Sequence, residues 1–142
     1  MASWLIFALL SAVTAALVAI FGKIGLNGLD ANTATAIRSV IMALFMIGVV
    51  LYEGKINEVS SILENKRALF YIALTGVAGA LSWMFYFMAI KHGKVSQVAP
   101  IDKLSVVIAV ILAVIFLGEK ISLMGGIGVA LIAVGAVLVA LG

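Results

Sequence analysis

Apolar residues run in five long blocks, at about 4–21, 33–52, 68–90, 97–117 and 121–141, separated by short polar stretches. Each block is close to the roughly 20 residues that a helix rising about 1.5 Å per residue needs to cross about 30 Å of hydrocarbon. A lone span in lipid must be helical, because its backbone N–H and C=O groups find no other partners there. The pattern predicts an all-α polytopic membrane protein with five transmembrane helices, all in one domain over residues 1–142. The first block, MASWLIFALLSAVTAALVAIF, has no basic n-region and approaches a full span, so it reads as a retained helix rather than a signal peptide.

The polar stretches are too short to hold a soluble catalytic domain. The longest, EGKINEVSSILENKR at 53–67, places Ile56, Val59, Ile62 and Leu63 on one face if it is helical. It reads equally as a short amphipathic helix lying at the interface or as a solvated linker. Within the spans, small residues recur four apart. Gly126 with Ala130, Gly128 with Ala136 and Ala140 through Ile132, and Ser11–Ala15–Ala19 all suit close helix packing or dimerisation.

Composition sharpens this picture. The 142 residues are 65% hydrophobic and 11% charged, with a mean hydropathy of +1.34. A soluble domain is about half apolar and about a quarter charged, so water cannot be the solvent for most of this surface. There is no cysteine and one histidine, His92, which excludes disulfides and His or Cys metal clusters; no metal or cofactor is expected. The net charge of +3 is scattered along the loops, with no basic face interleaved with aromatics, so nucleic acid is not an expected partner. No phosphate loop, HExxH or Ser–His–Asp set is present, and an enzyme is not expected.

Charge also bears on orientation. With five spans, Lys55, Lys66, Arg67 and Lys120 fall on one side. Lys23, Lys91 and Lys94 fall on the other, with Arg38 and Lys103 just inside it. Four basic residues against three, or against five, is almost no bias under the positive-inside rule. A chain so balanced is suited to insertion both ways round, and two opposed copies would make an inverted repeat of the kind many carriers contain within one chain.

Three charged residues lie inside spans: Arg38, Asp102 and Lys103. A charge at mid-membrane costs about 2.5–3.5 kcal/mol on insertion scales, so each one needs a reason. Arg38 and Asp102 enter from the same side to a similar depth, about 7–9 Å in, which makes an ion pair between them sterically reasonable. Lys103, about 100° round the helix from Asp102, is expected to face elsewhere. Asp102 then has three readings: a partner that neutralises Arg38 or Lys103 and sets helix register, a group facing a wet cavity that binds substrate or a coupling proton, or a simple interfacial anchor. Pro100 is harmless in a first turn but frees a carbonyl near Ser96 if its helix starts near Lys94. Trp83, Tyr86 and Phe87 share one face of the third span, with Trp83 unusually near its middle; they read as lipid-facing packing or as an aromatic cavity wall. Glu119 is expected to cap the fifth span rather than to do chemistry.

From AIKHGKVSQVAP (89–100) through LGEKIS (117–122) to GIGVALIAVG (126–135), the chain resembles the second part of an EamA-type domain of the drug/metabolite transporter superfamily. FGKIGL with Lys23 and TATAIRSV with Arg38 resemble that domain's opening helices. Familiar members carry two such domains as inverted repeats; this chain looks like the half-size members, with PIDKLS at the start of the fourth span. The resemblance implies a homodimer, possibly antiparallel, around a cavity lined by the first, third and fourth helices. It implies roles near that cavity for Trp83, Tyr86 and Asp102, with Ser11, Thr14 and Lys23. The expected function is secondary transport of a small metabolite or amphipathic compound by alternating access, in a prokaryotic plasma membrane. Two rivals stand beside it: a non-transporting helix-packing subunit, and one half of a heteromeric carrier or lipid flippase.

Overall fold

Seven helices account for the five blocks in the computed structural model, which describes residues 3–142. They are α1 (Ser3–Gly25), α2 (Ala31–Tyr52), α3 (Ile56–Glu64), α4 (Lys66–His92), α5 (Val95–Asp102), α6 (Leu104–Leu117) and α7 (Leu123–Leu141). No strand occurs among the described residues. α1, α2, α4 and α7 are each long and apolar enough to cross a membrane, and α5 with α6 makes the fifth such span, Val95–Leu117. The two further helices come from the loop at 53–67, which contains α3, and from a break inside the fourth span.

Local chemistry sets the helix ends. The Asp30 carboxylate accepts from the Thr33 N–H at 2.8 Å and from the Thr33 hydroxyl at 3.0 Å, capping α2. Asn65 caps α4 by accepting from the Ala68 N–H at 3.1 Å. Ser122 caps α7 by accepting from the Gly125 N–H at 3.1 Å. Glu119 therefore does not cap α7, contrary to the sequence expectation: Ser122 is nearer and has the short hydroxyl that N-caps favour. α6 ends at Gly118, whose φ of 68° is left-handed and open to glycine without strain. Across the α2–α3 turn Lys55 pairs with Glu53 at 3.0 Å, and that hydrogen bond holds the exposed Lys55 ammonium above its ordinary pKa.

α3 answers the question left at 53–67. It is a helix, and Ile56, Val59, Ile62 and Leu63 are 41–56% exposed, so the described chain does not cover its apolar face. α4 begins at Lys66, earlier than its apolar block, so Lys66 and Arg67 belong to its first turn.

The chain divides into two compact units, one formed by Met1–Ile24 with Ala89–Gly142 and the other by Gly25–Met88. In the first, α7 packs against both α5 and α6. Its inward face is Val129, Ala133, Ala136 and Ala140, with Ala136 buried and the others half-buried. Small side chains on this face let the α7 backbone approach its neighbours. Here the small-residue expectation needs revision. A methyl group added at Gly126 or Gly128 would meet nothing within 4 Å, and Ala130 is exposed. The tight position is Gly125, where such a methyl would lie 2.8 Å from Ile121 Cγ1. Within the chain the spacing rule found Ala136 and Ala140 but not Gly125, which is tight because the turn folds Ile121 back over the first turn of α7.

The same unit contains a long-range clamp. The Lys23 ammonium, in the last turn of α1, donates to the Ile90 carbonyl and, at 2.9 Å, to the Gly93 carbonyl. These are end-of-helix oxygens of α4, where the helix dipole favours a cation.

The glycine assignment makes a paired prediction. Gly126→Ala is expected to be neutral or stabilising, since alanine gains about 1 kcal/mol of helix propensity over glycine. Gly125→Ala must displace Ile121 and is expected to fall about 1–3 kcal/mol below Gly126→Ala. Unfolding of the two purified variants in one detergent, followed by circular dichroism, measures the difference.

Candidate functional site

In the unit formed by residues 25–88, α2 and α4 meet through a cation and a ring. α2 presents Ala31, Thr35, Arg38 and Ser39 at helical spacing. The Thr35 hydroxyl donates to the Ala31 carbonyl at 2.7 Å and the Ser39 hydroxyl to the Thr35 carbonyl at 2.9 Å, so both polar groups are satisfied within the helix. Opposite them, α4 presents Trp83 and Phe87 one turn apart. The Arg38 guanidinium carbon lies 3.8 Å from the centre of the Trp83 ring and 5.4 Å from that of Phe87. Trp83 is edge-on to Tyr86 at 5.6 Å and to Phe87 at 5.7 Å. An indole face supplies the negative quadrupole that a partly desolvated guanidinium seeks, worth about 1–2 kcal/mol.

Trp83 thus takes a third role beside the two expected of it: it is the bed on which Arg38 lies. Phe87, quoted with its neighbours but not singled out, belongs with it and is only 4% exposed. Arg38 is the eighth residue of α2 and Trp83 lies nine residues before the end of α4, so Arg38 sits about 10 Å from the N-terminus of α2 and Trp83 about 14 Å from the C-terminus of α4. Depth along the helix suits Trp83 as a partner for Arg38 as well as it suits Asp102.

The fourth span is interrupted where its charges are. α5 runs from Val95 and stops at Asp102; α6 resumes at Leu104. Pro100 is the sixth residue of α5, so it lies in the second turn and the harmless first-turn placement does not hold. It has no N–H to offer the Ser96 carbonyl, which weakens the helix just before the break. The Lys103 N–H closes the turn by donating to the carbonyls of Ala99 at 3.3 Å and Pro100 at 3.1 Å.

The side chains follow from the break. Lys103 Nζ lies 3.3 Å from Asp102 Oδ2, with the two side chains 57% and 34% exposed. Lys103 does not face away from Asp102: its long side chain reaches back to the carboxylate, one of the two partners that the neutralising reading offered. Asp102 also lies immediately before the N-terminus of α6, where a helix dipole favours negative charge. The C-terminal end of α5 at the same residue disfavours an anion, so the two helix ends oppose each other and the Lys103 ammonium is the partner that the carboxylate has.

The remaining candidates fall elsewhere. The Thr14 hydroxyl donates to the carbonyls of Leu10 at 2.9 Å and Ser11 at 3.0 Å, and both Ser11 and Thr14 are exposed on α1. Lys23 clamps the end of α4 as described above. Among the described residues no cluster of His, Cys, Asp or Glu is fit to hold a metal ion.

A short list of chemical possibilities remains: a carboxylate with an ammonium at a helix break, and a guanidinium on an aromatic bed. Neither contains a nucleophile with its base. Both suit binding, ion pairing and proton exchange. The chain is 44% identical over 138 residues to an uncharacterized transporter in the cobO 3' region of Sinorhizobium sp., covering 97% of this chain and 96% of that protein. The relative is therefore also of single-domain length. No solved structure gives a significant match. The EamA-like transporter family model matches residues 2–141, and the chain belongs to that family of integral membrane transporters.

Proposed function

We propose that this protein is a half-size secondary carrier in which two copies, inserted in opposite orientations, together make an inverted-repeat transporter. It moves a small metabolite or amphipathic compound by alternating access across a prokaryotic plasma membrane. The observation that carries this reading is the broken fourth span, with Asp102 and Lys103 at its break. A continuous helix would be the cheaper way to cross lipid; discontinuous helices with charged side chains at the break are how carriers expose binding groups at depth. The near-balanced distribution of Lys and Arg between the two sides supports opposed insertion. The 44% identity to a Sinorhizobium transporter supports the prokaryotic membrane.

In this mechanism Asp102 alternates between two states. Ionised, it pairs with Lys103. Protonated, it releases Lys103 and makes the break less polar. Substrate binding and proton binding then compete for the same carboxylate, and that competition couples flux to a pH gradient. Arg38 on Trp83 supplies a second positive group at a similar depth along its own helix.

Opposed insertion is tested with C-terminal reporters that are active on only one side of the membrane. Comparable signal from the inside-active and outside-active fusions is expected; signal from one alone would require an opposed partner chain and favour the heteromeric reading. Proteoliposomes with an imposed pH gradient, offered a panel of radiolabelled metabolites and amphipathic cations, test coupling. For any compound whose uptake the wild type accelerates, Asp102→Asn is expected to abolish the response to the gradient while the protein still elutes as a folded species. Unchanged flux would remove Asp102 from the mechanism and leave it a structural role.

The Arg38–Trp83 stack has its own check. Arg38→Gln and Trp83→Leu are each expected to destabilise the protein. Their double-mutant cycle should give a coupling of about 1–2 kcal/mol in unfolding measurements in detergent.

A further inference from the structure

The LGEKIS segment, at the junction of α6 and α7, is given no task by the carrier mechanism. In the structure it ends a groove. Val106, Ala109, Val110, Ala113 and Val114 follow one another along α6 at alternating intervals of three and one, forming one face of the helix. With Ile121, Glu119 and Lys120 they line a groove of about 470 Å³. That volume is in the range of about 300–1,000 Å³ typical of small-ligand pockets. The walls are aliphatic over the whole length of the helix face, and the two charged residues are consecutive in the chain just past the left-handed turn at Gly118.

These two charges are unused. Among the described residues, neither Glu119 nor Lys120 takes part in an ion pair or a side-chain hydrogen bond. The capping task open to Glu119 is already done by Ser122. Glu119 is moreover placed just past the C-terminus of α6, the end of a helix that repels an anion and attracts a cation. A carboxylate there is best accompanied by an external cation.

We infer that this groove binds a zwitterionic phospholipid bearing a primary ammonium, with one acyl chain along the α6 face, the ammonium on Glu119 and the phosphate on Lys120. Geometry supports the lipid. Val106 to Val114 covers about 12 Å of helix. Half of a hydrocarbon core about 30 Å thick is about 15 Å, so the apolar stripe matches the depth of one leaflet. The charges then fall at the membrane surface, where headgroups are. The pairing also discriminates among lipids. A primary ammonium can donate hydrogen bonds to the Glu119 carboxylate, whereas a quaternary ammonium has no N–H and a glycerol headgroup has no cation. This site goes beyond the carrier reading and stands whether or not Asp102 couples transport to protons.

The experiment is lipid retention by the full-length protein in detergent. Phosphatidylethanolamine, phosphatidylcholine and phosphatidylglycerol with identical oleoyl chains are offered in equal amounts, and bound lipid is counted by native mass spectrometry. Phosphatidylethanolamine is expected to exceed each of the others about tenfold, the worth of one charge-assisted hydrogen bond. Glu119→Gln should erase its advantage over phosphatidylcholine. Lys120→Gln should weaken all three, because all three carry the phosphate, and Ala113→Phe should displace all three by filling the groove. Glu119 and Lys120 are exposed on a turn, so their variants keep the test interpretable if Ala113→Phe does not fold. Equal retention of phosphatidylethanolamine and phosphatidylcholine by the wild type, or an undiminished preference in Glu119→Gln, overturns the inference. So does efficient disulfide formation between copies of Ala109→Cys in native membranes, since the groove would then hold a second copy of this chain. The chain has no other cysteine to confuse that result.

Discussion

Hydrocarbon offers no hydrogen bonds, and most of this molecule follows from that single deprivation. Every polar group carried into the membrane must be met by another part of the same chain, and the structure shows several different ways of doing so. Thr14, Thr35 and Ser39 return their hydroxyls to carbonyls of their own helices. Lys23 carries a charge from the end of α1 to the carbonyls that end α4. Arg38 lies on the face of an indole. Asp102 takes a lysine next to it in sequence. None of these arrangements needs water, and each converts a costly group into a positional constraint.

In the mechanism proposed above, the break in the fourth span is where this logic and transport meet. Pro100 removes one donor, the helix stops two residues later, and a new helix starts with its positive end beside a carboxylate. A binding group in a carrier must be stable at depth and yet exchange its partner. An ion pair between adjacent residues at a helix break meets both demands: it satisfies the carboxylate, and Lys103 is more than half exposed and free to swing. Arg38, held on Trp83 and Phe87, is the more firmly fastened of the two intramembrane cations.

How far these features can be read from sequence depends on how local their causes are. The number of spans and their helicity were legible, because each is set by a run within one segment, whereas 53–67 read equally as the helix α3 or as a linker. Asp30, Asn65 and Ser122 are of the residue types that cap helices, yet Glu119 drew attention because charge is conspicuous. The stacking of Arg38 on Trp83 was half legible: the depths agreed, but depth along a helix gives no azimuth. The Asp102–Lys103 contact was one of two pairings left open, since a 100° step round a helix does not say how far a lysine side chain reaches back, and the break itself turned on whether α5 began at Val95 or two residues later.

The sequence by itself determined the solvent, the five spans, the all-helical backbone and the family, since all of these follow from hydrophobicity, length and motifs along one dimension. Tertiary structure decided which partner each intramembrane charge takes, which glycine is tight, and that Glu119 and Lys120 stand unpaired at the end of an aliphatic groove. The physical reason is the same in each case. Burial and periodicity are properties of a segment, whereas the satisfaction of a charge or the filling of a gap depends on which faces of separate helices are turned toward each other.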